Sequence, residues 1–227
     1  GRVLLLDAGA QSRRYACDIT RTTPAATCDA RFAELVRRVD ALEQELVAAA
    51  SPGRPYLEVH LQAHQGVARI LSDLRLVRVP ADEALAKGYT HPFFPHGVGH
   101  HLGIQVHDVA GRQADPSGTP APPPREHPYL RNTRTIEPGH VFTIEPGIYF
   151  IPMLLRPFRS GPDAAAFDWD AIDALKYATR AIDWRNAFAP TAFALAFAVR
   201  HDGRALLVER EGSGPDPGGP FTKPSAR

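Results

Sequence analysis

Between Pro95 and Asp108 the chain reads PHGVGHHLGIQVHD, which places four imidazoles and a carboxylate within fourteen residues. Gly97, Gly99 and Gly103 break any helix that would otherwise space them. Imidazole is uncharged, basic and a metal ligand near neutral pH, so the group points to metal binding or proton transfer. A solvated His-rich loop is the other reading of the same residues. Acidic residues elsewhere in the chain stand where a metal site would need them. Asp7 and Asp18 flank a predicted hairpin, in which the apolar run Val3 to Leu6 reads as a buried strand, reverses around Gln11 to Arg14 and returns as Tyr15 to Thr20. With the reversal centred near Ser12 and Arg13, the two carboxylates lie directly opposite, with Cβ atoms about 5 Å apart. Their repulsion is relieved by a shared proton, by Arg14 or Arg21, or by a bound cation, of which a hard dication with oxygen ligands is the strongest. In the alternative, Asp7 caps the turn through Gly9 and Asp18 is simply exposed.

Two Glu-Pro-Gly sequences follow, at 137–139 and 145–147. Glu137 precedes a turn and is expected in solvent. Glu145 ends the apolar strand His140 to Glu145 and is expected to be buried, where a carboxylate needs a partner: an arginine or a metal. The elements that must position these groups are legible from periodicity. Phe32, Leu35, Val36, Val39, Leu42, Leu46 and Val47 recur at helical spacing between Asp29 and the stop signal Ser51-Pro52-Gly53. A second helix is predicted from Tyr56 to Leu74, with Leu57, Val59, Leu61, Val67, Ile70 and Leu71 as its apolar face, and a short one from Asp82 to Lys87. His60 and His64 share one face of the second helix, but no HExxH pattern surrounds them, and they read as exposed or polar-packed. Residues 111–128 form a Pro- and Gly-rich loop expected to rim the site.

Composition bounds the answer. A chain of 227 residues that is 44% hydrophobic can bury a full core, and its formal net charge of +1, with both signs interspersed, favours neither nucleic acid nor an anionic membrane. The longest apolar run, Ala187 to Val199, contains Pro190 and is too short to span a bilayer about 30 Å thick. Cys17 and Cys28 form no CxxC pair. The cytoplasm is the expected compartment.

Asp7 and Asp18, the His96 to Asp108 stretch and the strand ending Thr143-Ile144-Glu145-Pro146-Gly147 together resemble the pita-bread metallopeptidases, the family of methionine aminopeptidase, aminopeptidase P, prolidase and creatinase. Pro55-Tyr56, the Pro-rich loop before His127-Pro128-Tyr129-Leu130-Arg131, and Ile148 through Trp169 resemble the Xaa-Pro dipeptidase branch; the resemblance covers residues 2–176. It implies an α+β pita-bread fold with a curved, mainly antiparallel sheet covered by helices. It also implies a two-metal centre held by Asp7, Asp18, His100 and Glu145, with Asp18 bridging and Mn2+, or Zn2+ or Co2+, as the ion. His96 and His107 would be substrate-side histidines, Glu145 would also move a proton, and Arg131 would face the substrate's C-terminal carboxylate. The implied reaction is hydrolysis of Xaa-Pro dipeptides by a parent enzyme that is a homodimer. Aminopeptidase P-type cleavage of longer peptides, creatinase-like hydrolysis and a non-catalytic binding module are the alternatives.

The resemblance fails after Lys176, where the family carries a further glutamate ligand in a Gly-Ile-Arg-Ile-Glu-Asp stretch that this sequence lacks. Phe193 to Val199 and Ala205 to Glu209 read instead as a hairpin around His201-Asp202-Gly203, with Glu209 or Glu211 as possible replacements. A catalytic domain over residues 1–211 with a disordered tail at 212–227 is expected. The opening within a strand and the divergent end fit a piece of a longer protein, its last part from an altered reading frame or a divergent ending.

Overall fold

The computed structural model describes residues 3–178, 191–192, 196–199 and 205–207. The chain opens with a long antiparallel hairpin in two sections, β1 (Val3–Ala8) against β4 (Ile19–Pro24), and β2 (Gln11–Ser12) against β3 (Tyr15–Ala16). Helices α1 (Ala30–Ala49), α2 (Tyr56–Asp73) and α3 (Ala81–Ala86) follow, then β5 (Val141–Thr143), β6 (Ile148–Tyr149), α4 (Pro152–Arg159) and α5 (Trp169–Ala178). The short strands β7 (Thr191–Ala192), β8 (Ala196–Val199) and β9 (Ala205–Leu207) pair as β6-β7 and β5-β8-β9, all antiparallel. The predicted late hairpin is present as β8 and β9. Glu209, Glu211 and the tail lie outside the described residues.

Helix α1 forms where its periodicity predicts. The Asp29 carboxylate caps it by accepting from Arg31 N at 2.8 Å, and of the seven expected core residues only Val36 is partly exposed. Helix α2 packs against it, but its buried face differs from the prediction: Leu61 is exposed, whereas His60 and His64 lie inward with Val59, Ala63 and Val67. The 3.6-residue repeat decides this, because positions 56, 59, 60, 63, 64 and 67 form one stripe and 61 falls opposite. The expected burial of the first strand also fails, since Leu4 and Leu6 are 60% and 57% exposed.

Arg13 and Arg14, both at positive φ, make the hairpin's reversal. That sets a register in which Asp7 opposes Thr20, two positions beyond the predicted partner Asp18. The ladder breaks at residues 9–10 and 17–18, where Cys17 N donates to Ala10 O at 2.9 Å. Gly9 permits the break to close, because a Cβ there would lie 2.5 Å from the Cys17 carbonyl oxygen.

The glycine-rich stretch behaves as a strand without being a regular one. Ala16 N donates to Gly103 O on one side, while Leu102 N donates to Val141 O, Thr143 N to His100 O and Glu145 N to Val98 O on the other. It therefore lies between the hairpin and β5. A side chain at Gly99 would collide with the Thr143 carbonyl and the Tyr56 hydroxyl, which explains why this position has none.

Candidate metal centre

Three segments far apart in sequence meet at the His100 ring. Its Nε2 lies 3.3 Å from Asp18 Oδ2 and 3.0 Å from Glu145 Oε1, and the ring is almost fully buried. Nδ1 faces the His101 carbonyl at 3.0 Å, so it carries the proton and donates, leaving the Nε2 lone pair aimed between two carboxylates. A buried lone pair and two anions around one point fit a shared cation better than an ion pair.

Without a cation, a proton serves in its place. Burial disfavours charge on His100, but the Asp18 and Glu145 carboxylates overturn this and raise its pKa to about 10. The His100 contact in turn lowers Asp18. Asp7 is raised, first by burial and then by the charges of Asp18 and Glu145, with Thr20 opposing. Asp7 and Asp18 are therefore electrostatic neighbours although they do not face each other across the ladder. They stand on a diagonal of the hairpin, and the break at Cys17 turns Asp18 towards His100.

Thr143 holds this arrangement together: its hydroxyl donates to Glu145 Oε1 and accepts from His100 N at 3.0 Å. Tyr56 OH donates to the Thr143 carbonyl at 2.6 Å. Glu145 is only partly buried, its side chain 22% exposed, and so faces an opening instead of the core expected for it. Glu137 is exposed, as expected, and pairs with Arg134.

His107 packs edge-on to His100 with ring centroids 4.3 Å apart, and Asp18, His100 and His107 each offer a ligand atom within 4.8 Å of the others. Burial and the His100 charge lower the His107 pKa. His96 Nδ1 donates to Gly97 O at 2.7 Å, so its Nε2 accepts from Tyr149 OH, also at 2.7 Å. Burial lowers His96, and the Arg131 charge adds to the lowering of both His96 and His107. Asp108 is apart from this group, since it caps the following turn by accepting from Ala110 N. His101 is buried against His140 and lowered by burial to about 4.

Tyr149, Thr143 and Tyr56 were named within the stretches that carry the resemblance but were given no role at the site. Nothing in their spacing marks them, although Tyr149 stands four residues beyond Glu145 in a strand that had to pass the same opening. The Pro-rich loop is ordered through Asp115, which accepts from Ser117 N and Thr119 N, and through Thr133, whose hydroxyl donates to Ala121 O.

A mixed fold with carboxylates and a tautomer-fixed imidazole around one point marks the class as proteins with a candidate divalent-metal centre. The profile of metallopeptidase family M24 matches residues 1–184, and the chain belongs to that family. It is 49% identical over 176 residues to an Xaa-Pro dipeptidase of Pectobacterium atrosepticum, covering 77% of this chain and 40% of the relative. A Marinobacter nauticus Xaa-Pro dipeptidase is 50% identical over 176 residues, covering 77% and 39%. The chain thus spans about 40% of the length of the curated relatives it matches. Among solved structures, aminopeptidase PepP of Pseudomonas aeruginosa superposes with a TM-score of 0.61 at 23% identity, over 90% of this chain and 37% of that one. Escherichia coli aminopeptidase P with the inhibitor Pro-Leu gives a TM-score of 0.60 at 24% identity, over 90% and 37%. The fold is the α+β pita-bread fold, of which this chain covers a part.

Proposed function

We propose that this chain carries most of the metal centre of an Xaa-Pro dipeptidase, and that its parent hydrolyses the imide bond of such dipeptides. The carrying observation is the convergence of Asp18 and Glu145 on His100 Nε2. Asp7, Asp18, His100 and Glu145 would hold two divalent ions. Carboxylate-rich ligation favours Mn2+, with Zn2+ and Co2+ as substitutes. Bound there, the ions would make a water acidic enough to ionise near neutral pH and would polarise the carbonyl under attack.

The chain's own residues supply the rest. His107, kept largely neutral by burial, presents an N–H to the oxygen on which negative charge develops. Glu145 stands at the opening and can carry a proton to the leaving proline nitrogen, while Thr143 orients it. His96, fixed as the Nδ1–H tautomer, holds the Tyr149 hydroxyl towards the substrate side. Arg131 pairs with the dipeptide's terminal carboxylate. The family's further glutamate ligand has no counterpart in the sequence after Lys176, and its candidate replacements Glu209 and Glu211 lie outside the described residues. The substrate is a small peptide, the parent is a homodimer and the compartment is the cytoplasm.

Metal content and turnover test the reading. The chain should retain Mn2+ after desalting, and Asp18→Asn should not. In the intact parent, Gly-Pro should be cleaved and its amide should not, because only the free carboxylate engages Arg131. A parent that cleaves longer Xaa-Pro peptides as well as the dipeptide would instead act as an aminopeptidase P.

A further inference from the structure

A second group of imidazoles stands behind the first. His60 and His64, one turn apart on α2, are 2% and 3% exposed, and His127 reaches them from the Pro-rich loop. His60 Nε2 is 3.0 Å from His127 Nδ1, and one nitrogen from each of the three rings lies within 4.8 Å of the others. The cluster lines a cavity of about 250 Å³, with His91 and Glu126 also at its wall and His96 at the side nearest the carboxylate centre.

We propose that His60, His64 and His127 form a metal site of their own, taking one borderline divalent ion, Zn2+, with water from the cavity as its fourth ligand. Three imidazoles with no carboxylate among them select zinc over manganese or magnesium, which prefer oxygen. A tetrahedral zinc at 2.0–2.1 Å from each nitrogen needs nitrogens about 3.3 Å apart, so the His60–His127 pair at 3.0 Å would open slightly and the remaining spacings, within 4.8 Å, would adjust to match. His64 is already oriented for this. Its Nδ1 contacts the Thr90 hydroxyl at 2.8 Å, which leaves Nε2 as its ligand atom and supplies the outer hydrogen bond that ligating histidines have. Burial lowers His60 to about 2 and His64 to about 3, so protons do not compete with the ion at pH 7.

One bond must be given up. Val98 N donates to His60 Nδ1 at 3.3 Å, so the metal-free His60 carries its proton on Nε2 and shares it with His127. Zinc takes the place of that proton, which moves to Nδ1 with no net release, and the long Val98 contact breaks. Val98 O is also the acceptor for Glu145 N at 2.6 Å, so the new site ends one peptide away from the carboxylate centre.

The test uses the full chain with Zn2+ alone. In Asp18→Asn/Glu145→Gln, which disables the carboxylate centre, equilibrium dialysis should find one Zn2+ per chain, and adding His64→Gln or His127→Gln should weaken it at least tenfold. His127 stands on a loop, so His127→Gln leaves the core intact, and circular dichroism checks this. If the double variant does not fold, the wild type is compared with His127→Gln, which should bind one zinc fewer. Occupancy should also shift the Val98 amide resonance. Zinc stoichiometry unchanged by both His→Gln substitutions, or no zinc in the folded double variant, would overturn the site.

Discussion

His100 sets the terms at the scale of single residues. Its folded pKa of about 10 exceeds the ordinary 6.5, so the metal-free fold holds this proton more tightly than the unfolded chain does. The resulting stabilisation is complete below about pH 6.5, declines as pH rises and is gone above about pH 10. With chelator present, the melting temperature should therefore fall across this window, and His100→Gln should flatten the fall. Two other residues separate kinetically in the intact parent. His107→Ala should lower kcat at unchanged metal content, because it removes a donor to charge that exists only in the transition state. Arg131→Ala should mainly raise KM for the dipeptide, since the substrate carboxylate is charged from the start. Losing such a charged hydrogen bond costs about 1.5–3 kcal/mol, roughly ten- to a hundredfold in kcat/KM. Asp7, Asp18, His100 and Glu145 were named together through the family resemblance, and of these the fold brings Asp18 and Glu145 within 3.3 Å of His100 Nε2. For His60 and His64 the sequence left exposed and polar-packed readings open, because a histidine on a helix looks the same to its sequence whether it faces water or core; the fold selects the packed one. His127, sixty-three residues beyond His64, has no spacing to read.

At the scale of elements, α1 was legible in full, from its capping Asp29 to its stop, because a long amphipathic repeat leaves one way to bury itself. Leu46 lies at the centre of that repeat with no exposure, and Leu46→Ala should cost about 2–5 kcal/mol, measurable as a lower urea midpoint at unchanged slope. The hairpin was legible as a hairpin and wrong in register. Reversals of this kind favour Asn-Gly, and Arg13-Arg14 at positive φ bears no such mark. Helices α4 and α5 were not anticipated either: Pro157 inside α4 hid an element that Pro152 at its first turn announced. On α2 the pH dependence has the opposite sign to that of His100. His60 and His64 are lowered by burial, so the stability that they contribute is present above about pH 6.5 and is lost as pH falls towards 3. Acid titration followed by circular dichroism should show α2 loosening in that window.

At the scale of the whole molecule, binding to the folded form alone should raise stability by about 2.7 kcal/mol at a hundredfold excess of ion over its Kd. Thermal scans with Mn2+ and with chelator should differ accordingly, and Asp18→Asn should remove most of the difference. The threading of residues 97–103 between the hairpin and β5 has a further consequence. Asp7, Asp18 and His100 precede the Pro-rich loop and Glu145 follows it, yet the two halves are joined by the backbone bonds from Glu145 to Val98, Thr143 to His100 and Leu102 to Val141. Ser117, exposed at the tip of that loop, is thus a place where the polypeptide can be cut in two with this ladder left whole. The pieces should stay together through dilution and should recapture an ion only when mixed. Such a split pair would turn metal uptake into a signal that its two halves have met.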